Sequence, residues 1–126
     1  MNKKRFNEGL KIRKAVLGEK YVNESINKAT DFNRPMQELV TEYCWGEIWA
    51  RPELSRKTRS IINLAVLTAL NRPHELKLHI RGAIKNGVTI EEIREIFLHC
   101  AIYCGVPAAV DSFRKAQEVL KEVEQD

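Results

Sequence analysis

The chain has 126 residues, of which 44% are hydrophobic and 30% charged, and 21 basic against 17 acidic side chains leave a net charge of +4. That size predicts one domain over residues 1–126, with a core that needs no metal or disulfide staple, and the composition excludes a disordered or collagenous chain. No run approaches the ~18 apolar residues that would cross a bilayer, the basic start Met1-Asn2-Lys3-Lys4-Arg5 lacks an apolar stretch behind it, and the interleaved charges are a weak nucleic-acid signal. The expectation is a cytoplasmic protein with no membrane and no nucleic-acid partner.

Residues 3–17 place Phe6, Leu10, Val16 and Leu17 on one helical face, with Gly18 as the stop, and a shorter helix follows over 19–29. Pro35 starts the next, in which Met36, Leu39, Val40, Tyr43 and Cys44 recur at helical spacing and Trp45 and Trp49 share a face before Arg51-Pro52 ends it. Ser55 is an N-cap for a helix whose interior, 61–70, is apolar nearly all round. Such a helix belongs in a central core position or at a subunit interface, which points to oligomerisation.

Pro73 opens a helix that runs to Asn86-Gly87 and carries Glu75 and His79. Thr89 with Glu92 is a capping-box signature, followed by the stripe Ile90, Ile93, Phe97 and Ala101 up to Cys104-Gly105. Pro107 then opens a last helix with Val110, Phe113, Ala116, Val119 and Leu120. Alternating β-branched runs and hairpin dipeptides are scarce. The fold class predicted is all-α, a compact single-domain bundle of about six to seven helices.

Glu75 and His79 stand four residues apart on one helix, so carboxylate and imidazole meet on one face. They form either a surface pair or a proton-moving pair in which the carboxylate orients the ring and raises its basicity. Arg51, Arg56 and Arg59, near Trp45 and Trp49, suit a carboxylate ligand, because the guanidinium fork matches it bidentately. The alternative is a solvated helix start, where Arg56 and Lys57 oppose the helix dipole unless an anion faces them. Tyr103 is a hydrogen-bond donor or a core-edge aromatic. Cys44, Cys100 and Cys104 make an odd count without framework spacing and should be reduced. Cys100 and Cys104, four apart, supply at most two ligands, so a metal centre is not expected and buried small hydrophobes are the plain alternative. A helix-turn-helix around Gly105 fails on the length of its first helix.

The ordered motifs Gly9-x-x-Ile-Arg-Lys-Ala-Val-Leu-Gly18, Asp31-Phe32-Asn33, Trp45-Gly46-Glu47-Ile48-Trp49-x-Arg51-Pro52, Thr58-Arg59-Ser60, Asn71-Arg72, Glu75-Leu76-Lys77-Leu78-His79, Asn86-Gly87-Val88-Thr89 and Ala101-Ile102-Tyr103-Cys104-Gly105-Val106-Pro107-Ala108-Ala109 span nearly the whole chain. Over that length the sequence resembles the γ-carboxymuconolactone decarboxylase family, within the alkylhydroperoxidase-D-like superfamily. The resemblance implies helical subunits in a ring, commonly a homohexamer built as a trimer of dimers. It also implies cofactor-free decarboxylation of a lactone dicarboxylate in aromatic catabolism, through a furanolate that must be stabilised and protonated. On that reading His79 donates the proton, oriented by Glu75. Arg51 and Arg59 hold the substrate, and Trp45, Trp49 and Tyr103 wall its pocket; which subunit's pocket the arginines serve stays open. Departures are present: the cysteine pair that the peroxidase branch carries ahead of its histidine reads Arg72 and Glu75, Val110 stands where the decarboxylases often have Asn, and Cys100 is not a family position. The alternatives are a cysteine-dependent peroxidase or reductase using Cys100 and Cys104, a paralogue acting on another lactone or a keto acid, and a non-catalytic helical oligomer.

Overall fold

The computed structural model describes residues 1–125, with the side chains of 124 and 125 left aside. Among the described residues there are seven α-helices and no strand, in keeping with the all-α expectation. The helices are α1 (Lys3–Leu17), α2 (Glu19–Asn27), α3 (Arg34–Leu39), α4 (Arg56–Ala69), α5 (Pro73–Lys85), α6 (Ile90–Tyr103) and α7 (Val106–Gln125), and a π-helix occupies Val40–Ile48 between α3 and α4. The chain forms two compact units, Met1–Ser55 and the remainder from Arg56.

In the first unit α1 begins at Asn2, whose side chain accepts from the Arg5 N–H, and stops at Gly18, where φ is +96°. A side chain would be strained there, so the glycine ends α1 and lets α2 set off at once. The helix anticipated from Pro35 to Arg51 differs from expectation: from Val40 onward it widens, with the Trp49 N–H bonding the Cys44 carbonyl five residues back. π-helical turns are rare and favour functional sites. Here the widening accompanies a close crossing with α1. A Cβ on Gly9 would lie 1.9 Å from the Thr41 carbonyl oxygen and 2.7 Å from the Gly46 nitrogen, and one on Gly46 would lie 2.3 Å from the Arg5 carbonyl oxygen. Two backbones meet where neither residue has a side chain. Ile12, Val16, Trp45 and Trp49 form the core beside that crossing.

Arg13 is buried in this unit at 4% exposure, donating to Gln37 Oε1 at 3.0 Å and Thr41 Oγ1 at 3.2 Å. Burial pushes its guanidinium below the usual arginine range, partly offset by Tyr21 and Cys44. These bonds tie α1 to the end of α3 and the first turn of the π-helix.

The second unit is built around Leu64, Leu76, Ile80, Ala83, Val88, Ile93, Phe97, Ala116 and Val119. Phe97 and Phe113 meet edge-to-face at 5.6 Å, a favoured aromatic geometry. The buried hydroxyls are satisfied: Thr68 Oγ1 donates to the Leu64 carbonyl at 2.7 Å and lies 2.8 Å from Ser112 Oγ, while Asn86 Nδ2 donates to Ser60 Oγ at 2.9 Å. The capping box is complete, with Thr89 Oγ1 accepting from the Glu92 N–H and Glu92 Oε1 accepting from the Thr89 N–H. Lys77 pairs with Glu118 at 3.1 Å and Glu122 at 3.6 Å, and Arg81 also pairs with Glu122, which ties α5 to α7.

The apolar helix expected in a central core position or at a subunit interface leaves Ile62 and Val66 on α4, and Leu70 just past its end, at 44%, 43% and 55% exposure, so one side of it lies outside the core. Cys100 and Cys104, for which burial was the plain alternative, divide: Cys100 is buried and Cys104 exposed, and Cys44 is exposed too. Cys104 caps α6 and so stands where that helix leaves the core. Among the described residues no helix is long and apolar enough to cross a membrane.

Candidate active site

The first unit carries Trp45, Trp49 and Arg51. The indoles stack with centroids 4.6 Å apart and planes 28° off parallel, and both are buried. Their shared face was anticipated from the four-residue spacing; the widened helix that presents them was not. Arg51 follows the π-helix, exposed, with Nη1 3.9 Å from Glu47 Oε1. A pair at that distance in solvent contributes little.

Arg59, Glu75, His79 and Tyr103 belong to the second unit. Arg59 lies one residue beyond the first turn of α4 and is half-buried. The anion that the basic start of α4 calls for is present at Lys57, whose Nζ lies 3.2 Å from Glu92 Oε1. One carboxylate therefore caps α6 and neutralises part of the start of α4, and these contacts hold the Glu92 carboxyl below its usual range, the Thr89 backbone bond foremost.

Glu75 and His79 lie on α5 as anticipated, the carboxylate exposed and the imidazole half-buried. Glu75 raises the ring's affinity for a proton, as expected, but the net shift is downward. Burial pushes His79 down to about 4, and the Glu75 carboxylate only partly opposes it. Desolvation of the cation outweighs an ion pair whose negative partner stands in water. At neutral pH the resting imidazole is uncharged.

That shift has a consequence for stability. Unfolded histidine titrates near 6.5, so between that value and about 4 the unfolded chain binds a proton that the folded chain refuses. The contribution is complete above pH ~6.5 and is lost as pH falls towards 4, by about 3 kcal/mol at most. Urea unfolding at pH 7 and pH 4.5 should show that loss in the wild type and a smaller one in His79→Gln. Equal losses in both proteins would exclude His79 as its source.

Tyr103 is 77% exposed at the end of α6 and stacks on His99 with centroids 4.7 Å apart. Among the described residues no three His, Cys, Asp or Glu side chains converge as a metal site would require. Sequence reasoning passed over Arg13, a buried cation held by neutral partners, because the only early sign of it was an arginine in the apolar periodicity of α1.

Comparison with known proteins places these elements. Residues 34–118 match the model of the carboxymuconolactone decarboxylase family. The chain is 44% identical to the 4-carboxymuconolactone decarboxylase of Acinetobacter baylyi, over 97% of this chain and 91% of that one. It is 46% identical to a nitrosuccinic acid decarboxylase of Metarhizium robertsii, over 98% of this chain and 86% of that one. A 4-carboxymuconolactone decarboxylase from Pseudomonas putida matches over 45 residues at 38% identity, covering 36% of this chain and 94% of that sequence. With a family model spanning most of its length and relatives of this identity across nearly all of it, the chain belongs to the carboxymuconolactone decarboxylase family.

Proposed function

We propose that this chain is a cofactor-independent carboxy-lyase that converts γ-carboxymuconolactone to the β-ketoadipate enol-lactone. The observation that carries the reading is the 44% identity to a 4-carboxymuconolactone decarboxylase over 97% of the chain. The chemistry suits an all-protein site. As the γ-carboxylate leaves as carbon dioxide, its electrons pass through the ring double bond into the lactone carbonyl, and the furanolate so formed takes a proton on the α carbon. The protein must hold the carboxylates, stabilise the oxygen on which charge develops, and deliver the proton.

His79 is assigned the proton delivery and Glu75 its orientation, Arg51 and Arg59 the carboxylates, and Trp45, Trp49 and Tyr103 the pocket walls. The resting imidazole is neutral, so the substrate's own negative charges must raise its affinity for the proton when it binds. The subunits assemble as a homo-oligomeric ring, a hexamer of three dimers, and the stripe Ile62, Val66 and Leu70 supports this because such faces mark interaction surfaces. The setting is cytoplasmic and the partner a small-molecule lactone dicarboxylate.

A second reading is favoured by the 46% identity to a nitrosuccinic acid decarboxylase. A nitro group beside the departing carboxylate is an electron sink just as the unsaturated lactone is, and the same site would then protonate a nitronate on carbon. The test gives purified protein each substrate in turn and follows carbon dioxide release, corrected for the spontaneous reaction. Faster turnover of the lactone, with enol-lactone as product, is the expected result. Faster turnover of nitrosuccinate establishes the second reading, and turnover of neither overturns both.

A further inference from the structure

Cys100 and Cys104 stand one turn apart where α6 ends, with the Cys104 N–H donating to the Cys100 carbonyl at 2.7 Å. Neither is in a disulfide, and the proposed decarboxylation assigns a role to neither. Cys100 is 2% exposed, whereas Cys104 faces solvent. One thiol is therefore fixed by the core and the other is accessible from outside.

A direct S–S bond suits this pair poorly. It needs sulfurs ~2.05 Å and Cβ atoms ~3.8 Å apart, while side chains four residues apart on a helix keep their Cβ atoms roughly 5–6 Å apart. The last turn of α6 would have to open. A single atom held between the sulfurs needs no such change, because two metal–sulfur bonds of about 2.3 Å span up to roughly 4.6 Å. The spacing thus favours a bridging ion over a disulfide.

The donors also select the ion. Two thiolates prefer soft d10 cations such as Cu(I) over Mg²⁺ or Ca²⁺, which take oxygen. Tetrahedral Zn²⁺ wants four ligands, and among the described residues no third His, Cys, Asp or Glu joins such a group. His99, the adjacent candidate, has its ring stacked on Tyr103.

We propose that Cys100 and Cys104 form a two-thiolate site for a soft, monovalent d10 cation of low coordination number. Binding forms two metal–sulfur bonds and releases two thiol protons, with no electron transferred. Cys104 is the ligand that meets the ion first and Cys100 the one that completes the site. Burial and the neighbouring thiol push Cys100 upward, so affinity rises with pH through the range where the thiols deprotonate.

The test is an anaerobic titration of reduced protein with Cu(I) in competition with bathocuproine disulfonate, starting from Cys44→Ser so that only this pair remains. One equivalent should be retained by Cys44→Ser and held at least tenfold more weakly once Cys104→Ser is added. Cys104 is exposed, so its replacement leaves the core intact, and far-ultraviolet circular dichroism checks this. Phenylarsine oxide, which also needs two thiols, should bind Cys44→Ser one to one and fail with the double variant. Equal retention in both proteins, or no retention by Cys44→Ser against the dye, overturns the proposal.

Discussion

Replacing His79 by glutamine is expected to lower decarboxylation 10²- to 10⁴-fold, the share that a positioned general acid commonly contributes (~10²–10⁴). Glutamine keeps a polar group on α5 but cannot deliver a proton to carbon. The pH dependence separates loss of the acid from loss of shape. In the resting chain the imidazole titrates at about 4, and kcat/KM reports the free enzyme. If the imidazolium is the working form, kcat/KM falls roughly tenfold per pH unit above that value, following a cation present in about one molecule in a thousand at pH 7. The profile of kcat should break at a higher pH, because the bound dicarboxylate favours the charged ring. Glu75 raises the His79 value, so Glu75→Gln should lower kcat/KM at pH 7 while shifting its break downward. A kcat/KM that instead rises through pH 4 to a plateau would make the neutral imidazole the working form and remove His79 as the acid.

This downward shift also marks the limit of what local sequence discloses. Features fixed within one turn of helix were legible. Thr89 and Glu92 cap each other because their bonds span three residues, and Gly18 ends α1 because its own backbone carries the required φ. The indole pair was legible too, since a four-residue step keeps two rings on one side whether the turn is α or slightly wider. What depended on distant packing was hidden. The i to i+4 rule brings Glu75 beside His79, but the sign of the net shift is decided by desolvation, which is a tertiary quantity. Cys104 reads as a buried small hydrophobe and Tyr103 as either a donor or a core-edge aromatic, and both stand exposed where α6 ends. The π-helix followed from no periodicity at all, and the crossing it accompanies is with α1, more than thirty residues earlier.

That crossing yields the largest expected loss of stability. By helix propensity alone, Gly9→Ala in the middle of α1 should stabilise the chain by about 1 kcal/mol. The structure reverses the sign. The new Cβ would stand 1.9 Å from the Thr41 carbonyl oxygen and 2.7 Å from the Gly46 nitrogen, and both are backbone atoms that no rotamer change can move aside. Relief requires α1 and the π-helix to separate, which opens the core of Ile12, Val16, Trp45 and Trp49. The expected net loss is about 3 kcal/mol or more, in the upper range of overpacking. Gly46→Ala should behave alike, since its Cβ would approach the Arg5 carbonyl oxygen to 2.3 Å. Urea unfolding followed by tryptophan fluorescence reads this directly, because both indoles lie in that core, and Glu8→Ala, at an exposed position beside Gly9, controls for propensity. If Gly9→Ala proved as stable as the wild type, α1 and the π-helix that presents Trp45 and Trp49 would not cross at that distance.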